Sequence, residues 1–306
     1  MIIFATFIHN RIHMSIDDTL SKMIYSRKKT FYRLLAAVFL LLMGLPFNQM
    51  FAQGNLLITP RRVVFEGSKR NQDLNLANTG SDSATYSVSL IHYRMKDDGS
   101  FEQILEPDSG QLFADKYIRF FPRQVSLAPN EAQVVKMQLT RTGELSPGEY
   151  RSHIYFRALP KQGALGEEDL KRDTTSISVK LTPIFGITIP VIIRVGDSDA
   201  HVTISGLTLE TINDTVPRLS MTFNRSGNMS VYGDLEISHI SAKGKVTQVG
   251  FIKGIAVYCP NRLRNFRIDL ANIPDLRNKS GKLHLKYVTQ TAVNPMILAE
   301  ADLILE

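Results

Sequence analysis

From Ile177 to Ile193 every second residue is apolar: Ile177, Val179, Leu181, Pro183, Phe185, Ile187, Ile189, Val191 and Ile193. Ser178, Lys180, Thr182, Gly186 and Thr188 stand between them. Side chains of an extended backbone point alternately to opposite faces, so this row is one hydrophobic face of a long strand. The run is several times the usual strand length of about 5 to 6 residues. Pro183 and Pro190 cannot donate to a ladder, which confines the segment to a sheet edge or to points where a strand bends. Two readings follow. The row is an ordinary core strand, or it is an edge kept open to pair with another chain, because a long apolar edge must be covered by something.

The amino terminus has the order of a secretory signal. Arg27, Lys28, Lys29 and Arg33 precede an apolar run from Leu34 to Leu45, and Phe51-Ala52 before Gln53 offers a small residue for cleavage. Residues 1–52 are therefore read as a cleaved leader, either unusually long or begun at Met23, and the apolar run is too short to span a bilayer comfortably. The full chain carries 36 Lys and Arg against 29 Asp and Glu, a net +7. The leader holds six and two of these, which leaves 36 − 6 = 30 against 29 − 2 = 27, or +3. The basic balance thus resides largely in the leader, and a nucleic-acid partner is not expected. Cys259 is the single cysteine, so no internal disulfide can form and the exported chain must be held by its core.

After the leader, short alternating runs recur with turn residues between them, the pattern of an all-β sandwich or barrel. Strands are expected at Asn55–Phe65, Leu74–Leu76, Tyr86–Tyr93, Gln124–Leu127, Gln133–Leu139 and Tyr150–Leu159, with one short helix within Ser109–Tyr117. The polar stretch Lys161–Thr175 reads as a solvated loop before the long strand. A polar hinge at residues 195–199 follows. Beyond it His201–Leu209, Leu219–Asn224, Gly233–Ser238, Thr247–Val257, Asn265–Leu270, Lys282–Thr289 and Ile297–Leu305 supply about seven strands, the count of an immunoglobulin-like sandwich. The expected organisation is a leader (1–52), a first immunoglobulin-like domain (53–195) and a second (196–306).

Motifs that carry chemistry are missing. There is no Gly-rich phosphate loop, no nucleophile elbow and no zinc-protease motif. His92, His153, His201, His239 and His284 lack metal-ligand spacing and are expected mostly as surface residues or as satisfied neighbours of strands. Asp97-Asp98 reads as turn chemistry. No enzyme, metal, cofactor or stable membrane insertion is expected.

Five ordered motifs resemble the periplasmic chaperones of the chaperone/usher pilus-assembly pathway. Pro60-Arg61-Arg62-Val63-Val64-Phe65-Glu66-Gly67 is similar to that family's first strand, and Asn78-Thr79-Gly80 follows it. Phe121-Pro122 with Leu127-Ala128-Pro129-Asn130-Glu131 resembles its central turn. Gly148-Glu149-Tyr150-Arg151 and Phe156-Arg157-Ala158-Leu159-Pro160 resemble the strand before its long loop, and Ile187 to Arg194 its domain-joining strand, especially in non-classical members. The match is strong over residues 56–195 and weaker beyond, where Asn224 to Asn228 and Val231 to Asp234 still resemble the family.

The resemblance implies two immunoglobulin-like sandwiches joined in a boomerang. It also implies a periplasmic chaperone that lends a strand to a fimbrial subunit lacking its own last strand and delivers it to an outer-membrane usher. On that alignment Leu181, Pro183 and Phe185 are the central donor residues, flanked by Ile177, Val179 and Ile187. Arg62 is the anchor for the subunit's terminal carboxylate, and Glu149 with Arg194 forms an ion pair at the hinge. The family's second anchoring cation, a lysine, falls on Pro190, which carries no charge. Arg151 and Arg157 are possible substitutes. The alternative to a chaperone is a two-domain adhesin or surface structural module that uses the same edge to associate with itself.

Overall fold

The computed structural model describes residues 56–160, 184–213, 216–271, 280–290 and 294–305. The leader, the 161–175 loop and the donor positions Ile177, Val179, Leu181 and Pro183 lie outside the described residues. All regular structure described is β apart from two short 3-10 turns, so the all-β expectation holds.

In the first sandwich the strands are β1 (Leu56–Thr59), β2 (Val63–Phe65), β3 (Asn71–Asn78), β4 (Ala84–Met95), β5 (Phe101–Ile104), β6 (Ile118–Phe121), β7 (Gln124–Leu127), β8 (Ala132–Leu139), β9 (Gly148–Leu159) and β10 (Gly186–Val195). One sheet runs β1-β3-β8-β6; the other runs β2-β10-β9-β4-β5, with β7 also on β4. The second sandwich contains β11 (His201–Ile212), β12 (Val216–Ser226), β13 (Val231–Ile240), β14 (Val246–Val257), β15 (Leu263–Asp269), β16 (Lys282–Thr289) and β17 (Ile297–Ile304). Its sheets run β11-β12-β15 and β14-β13-β16-β17.

Two expectations need correction. Asn55–Phe65 is not one strand: β1 pairs with β3 in one sheet, whereas β2 pairs in parallel with β10 in the other. The apolar parity records the crossing. Leu56 and Ile58 are buried at even positions and Val63 and Phe65 at odd ones, so both halves face the same core from opposite sheets. Pro60, with no N–H to offer a ladder, lies in the crossover. The helix expected within Ser109–Tyr117 is only a 3-10 turn at Asp115–Tyr117.

Each sandwich has a core of its own. Leu74, Leu76, Leu127, Met137, Ile154 and Phe156 are among the deepest residues of the first. Tyr150 begins β9, and its hydroxyl accepts from Ser146 N at 3.0 Å, a backbone tie a few residues upstream as in the tyrosine corner of immunoglobulin-like sandwiches. Asn78 is buried and its amide donates to the carbonyls of Asp82, Leu127 and Ala128, while Gly80 N donates back to Asn78 Oδ1 at 3.0 Å. That explains the Asn78-Thr79-Gly80 motif as a pin between two loops. In the second sandwich Phe223 meets Tyr287 edge-on at 5.1 Å, and the Tyr287 hydroxyl donates to Ile255 O at 2.7 Å, so a buried phenol is satisfied.

A third, smaller apolar cluster joins the two sandwiches: Val64, Met95 and Ile192 from the first, Tyr232, Ala256 and Tyr258 from the second. The β4–β5 hairpin adds polar ties. Asn261 Nδ2 donates to Met95 O at 2.8 Å, Asn265 N donates to Asp97 O at 2.6 Å, and Gly99, at φ +82°, lies directly under the Arg264 guanidinium. A side chain at position 99 would collide with that guanidinium. Gly99 therefore serves a close approach as well as a turn.

Candidate functional site

Strand β10 carries the candidate site because its two halves have different neighbours. Along its whole length, Gly186 to Val195, it pairs antiparallel with β9. On its other side β2 covers only Val191, Ile192 and Ile193. Among the described residues, no strand pairs with the far edge of Gly186–Pro190. Pro190 sits within this half, where a missing N–H can be tolerated. Pairing with β9 extends one residue earlier, since Ala158 N donates to Phe185 O at 2.9 Å. Gly186 leaves room for the ring of Tyr155, which lies against its α-carbon from the neighbouring strand.

The apolar row divides along the same line. Ile189, Val191 and Ile193 are buried in the first sandwich's own core, and Ile187 packs against it, partly buried. Ile187, expected to meet a partner, therefore already serves its own domain, because pairing with β9 and the start of the β2 pairing turn the odd positions inward. Phe185 differs, being 47% exposed, with Ile184 beside it also exposed. The ordinary-core reading thus describes the carboxyl-terminal half of the row, and an uncovered apolar side chain stands where the core ends.

Arg62 lies one residue before the β2–β10 pairing that begins at Val63↔Val191, which makes it the lateral neighbour of Pro190. Its guanidinium is half-buried in the cleft between the sandwiches, 4.3 Å from the Tyr232 ring centre and 5.5 Å from that of Tyr258. Arg62 Nη1 donates to the Tyr258 hydroxyl at 3.2 Å. Arg151, on β9, approaches Tyr258 with its guanidinium carbon 4.1 Å from the ring centre. Arg157, the other cation considered, is exposed on β9 opposite Gly186, six residues along the strand from Arg151.

Glu149 and Arg194 face one another across β9 and β10, with Arg194 Nε donating to Glu149 Oε2 at 3.2 Å. Both reach the second sandwich at Ser230. Its backbone N donates to Glu149 at 3.1 Å, its hydroxyl makes a very close hydrogen bond to the other carboxylate oxygen, and Arg194 Nη2 donates to Ser230 O at 2.9 Å. Cys259 N donates to Ser230 Oγ at 2.9 Å, and burial pushes the Cys259 thiol pKa up.

His153 is one of the histidines that neighbour strands rather than lie at the surface. It is buried between Tyr93 and Phe101, and burial, with Arg151 and His92 nearby, pushes its pKa down to about 3. His239 is buried too, its Nε2 at 2.6 Å from Ser280 O. Burial of His92, offset in part by Asp115, lowers its pKa as well. Among the described residues no group of His, Cys, Asp and Glu could hold a metal ion. No described helix is long and apolar enough to cross a membrane.

Several residues of the site were not legible from sequence. Tyr232, Tyr258 and Ser230 contact Arg62 and Glu149 across the domain junction, and nothing in their local pattern marks that. Arg225 is buried and donates to the carbonyls of Asn261, Gly227 and Met229 at 2.7–2.9 Å. The resemblance pointed at the Asn224–Asn228 segment without supplying this role.

The chain is similar to solved structures of fimbrial chaperones, alone or with a subunit. One is the YadV chaperone, at 12% identity over 82% of this chain and 100% of that one, with a TM-score of 0.42. Another is the CupB2 chaperone of Pseudomonas aeruginosa, at 13% identity, 82% and 100% coverage and a TM-score of 0.38. A third is the CsuC–CsuE chaperone–tip subunit complex of the archaic Csu pili of Acinetobacter baumannii, at 11% identity, 81% and 98% coverage and a TM-score of 0.42. No family model and no curated protein matches the sequence.

Proposed function

We propose that this protein is an exported, non-enzymatic chaperone that captures a fimbrial subunit by strand addition and passes it to an outer-membrane usher. The observation that carries the reading is the half-covered strand β10: among the described residues the Gly186–Pro190 edge has β9 on one side only, and the exposed Phe185 stands where the apolar row leaves its own core. Strand addition combines main-chain hydrogen bonds, which depend little on the partner's sequence, with alternate side chains that enter its pockets. Ile177, Val179, Leu181 and Pro183 continue the parity of Phe185 and supply the further donor side chains. Arg62, held in the cleft, anchors the subunit's terminal carboxylate, since a guanidinium can give a carboxylate two parallel hydrogen bonds. Glu149 and Arg194 fix the hinge through Ser230.

The test is co-expression with the pilin gene that lies nearest to this one, followed by affinity capture. A one-to-one complex lost in Phe185→Asp and Leu181→Asp supports the proposal. Recovery of this chain alone, in self-associated form, supports the surface-module reading instead.

A further inference from the structure

Strand β4 leaves the first sandwich part-way along its length. Its pairing with β9 ends at Ile91↔His153, and among the described residues His92 to Met95 pair with β5 alone. The hairpin so freed reaches the second sandwich. Met95 packs with Ala256 and Tyr258, Asn265 N donates to Asp97 O at 2.6 Å, and Asn261 Nδ2 donates to Met95 O at 2.8 Å. His153 lies at the root of this fork and is 4% exposed. Its ring meets Tyr93 edge-on at 5.0 Å and Phe101 at 5.9 Å, one from each arm of the hairpin, and Phe101 in turn faces Tyr258 at 6.2 Å. Nδ1 of His153 has no hydrogen-bond partner among the described residues.

We infer that the β4–β5 hairpin is a clasp between the two sandwiches and that His153 is its acid-sensitive release. A neutral imidazole fits this dry, aromatic place. An imidazolium needs acceptors for two N–H groups and water for its charge, and it gains both only when the hairpin lifts. The titratable groups around it leave the charge uncompensated. On its own strand Arg151 is 3% exposed, with Nε and Nη1 unpartnered among the described residues, and Tyr155 lies on the same face. Glu149, further along that face, is committed to Arg194 and Ser230. On β4, His92 has its Nδ1 3.1 Å from Ser152 Oγ and Asp115 3.9 Å from its Nε2. On the hairpin Arg94 and Lys96 pair with Glu102, at positions that alternate with Tyr93, Met95 and Phe101 and so take the opposite face. Strand β10 sets the uncharged Pro190 opposite His153, with Arg62 beyond it.

His153 titrates near 3 in the closed form and near 6.5 once exposed to water. Between those values the open form binds more protons, so closure is fully favoured above pH 6.5 and weakens as the pH falls. The loss is up to tenfold per unit, or roughly 25-fold between pH 7 and 5. Acid thus parts the walls of the cleft while each sandwich stays folded, and the release needs no bound subunit.

The experiment follows amide hydrogen exchange of the purified free protein by 15N NMR from pH 7 to 5, with rates corrected for their intrinsic pH dependence. Asn265 N, whose acceptor is Asp97 O across the junction, reports the clasp. Phe156 on β9 and Ile237 on β13, inner strands of their sheets, report the two folds. Asn265 protection is expected to fall roughly 25-fold while that of Phe156 and Ile237 holds. His153→Phe, which keeps a ring and removes the titration, is expected to abolish the fall. Gly99→Leu, whose side chain would collide with the Arg264 guanidinium, is expected to leave Asn265 poorly protected at every pH. Should His153→Phe fail to fold, His153→Gln, equally unable to take a proton, stands in its place. If Asn265 protection holds from pH 7 to 5, falls as far in the His153 variant, or falls only together with Phe156 and Ile237, the inference is overturned.

Discussion

Phe185→Ala separates a partner-facing side chain from a structural one. Phe185 is 47% exposed in the free protein. A phenylalanine buries roughly 200 Å² when fully covered, so docking a partner on it removes about 90 Å² from water. At about 25 cal/mol per Å² this is worth about 2.3 kcal/mol, or roughly fifty-fold in Kd. The same substitution should hardly touch the free fold, since changes at exposed positions usually stay within about 0.5 kcal/mol. Ile189→Ala, two residues on but buried at 5% exposure, is the control. It should cost about 2–5 kcal/mol of stability through lost burial and the cavity left behind. Urea melts of the free variants, read beside the affinity for a purified fimbrial subunit by calorimetry, give both numbers. If Phe185→Ala lowers stability as much as Ile189→Ala does, or leaves affinity unchanged, the division of β10 into a core half and a binding half is wrong.

Other perturbations test the junction and the folds beside it. Glu149→Gln leaves Arg194 facing a neutral amide in a site where the Glu149 side chain is 1% exposed, and should cost about 3–5 kcal/mol in urea unfolding. Asp302→Asn, which removes the carboxylate that the exposed Lys282 and the neighbouring His284 share, should cost less than about 1 kcal/mol in the same assay. His153 titrates near 3 when folded and near 6.5 when unfolded, so between those values the unfolded chain binds more protons. Its contribution is therefore complete above pH 6.5 and declines as the pH falls towards 3, by up to about 1.4 kcal/mol per unit. His153→Phe, which keeps an aromatic ring against Tyr93 and Phe101, should flatten that acid limb in melts from pH 7 to 4.5. Gly227→Ala places a methyl group against the Asp199 carbonyl at φ +88°, and should lower the melting temperature by several degrees through backbone strain and displacement of the 197–199 hinge.

The second sandwich was readable in outline because β12, β13, β15 and most of β16 alternate and its strands are set off by polar or turn residues, even though β11, β14 and β17 are interrupted by register shifts. Strands β5 and β6 were not expected. Phe101–Ile104 has no buried residue, so burial never imposed a pattern on it, and Ile118–Phe121 is too short for periodicity to show. The break between β1 and β2 left only a shift of apolar parity across Pro60, easily taken for one continuous strand. The cleft was legible on one wall. Arg62, Glu149 and Arg194 stand out through the resemblance, but Tyr232, Tyr258 and Ser230 are ordinary strand and turn residues in sequence. Their roles arise from contacts between positions as much as 196 residues apart, such as Arg62 with Tyr258. Arg151 read only as a candidate cation, because the burial that leaves it unpaired is a property of the docked sandwiches.

The parallel register of β2 on β10 makes this surface a ruler. Arg62 is fixed beside Pro190, and from Pro190 back to Phe185 the backbone covers roughly 17 Å at about 3.3 Å per residue. A chain whose last residue is gripped at Arg62 and which runs alongside β10 must bring a pocket opposite Phe185 at one set spacing from its end. Adding or removing a single terminal residue would swing every following side chain to the wrong face. On the proposed function, a partner is measured by length from its tail before its sequence is felt.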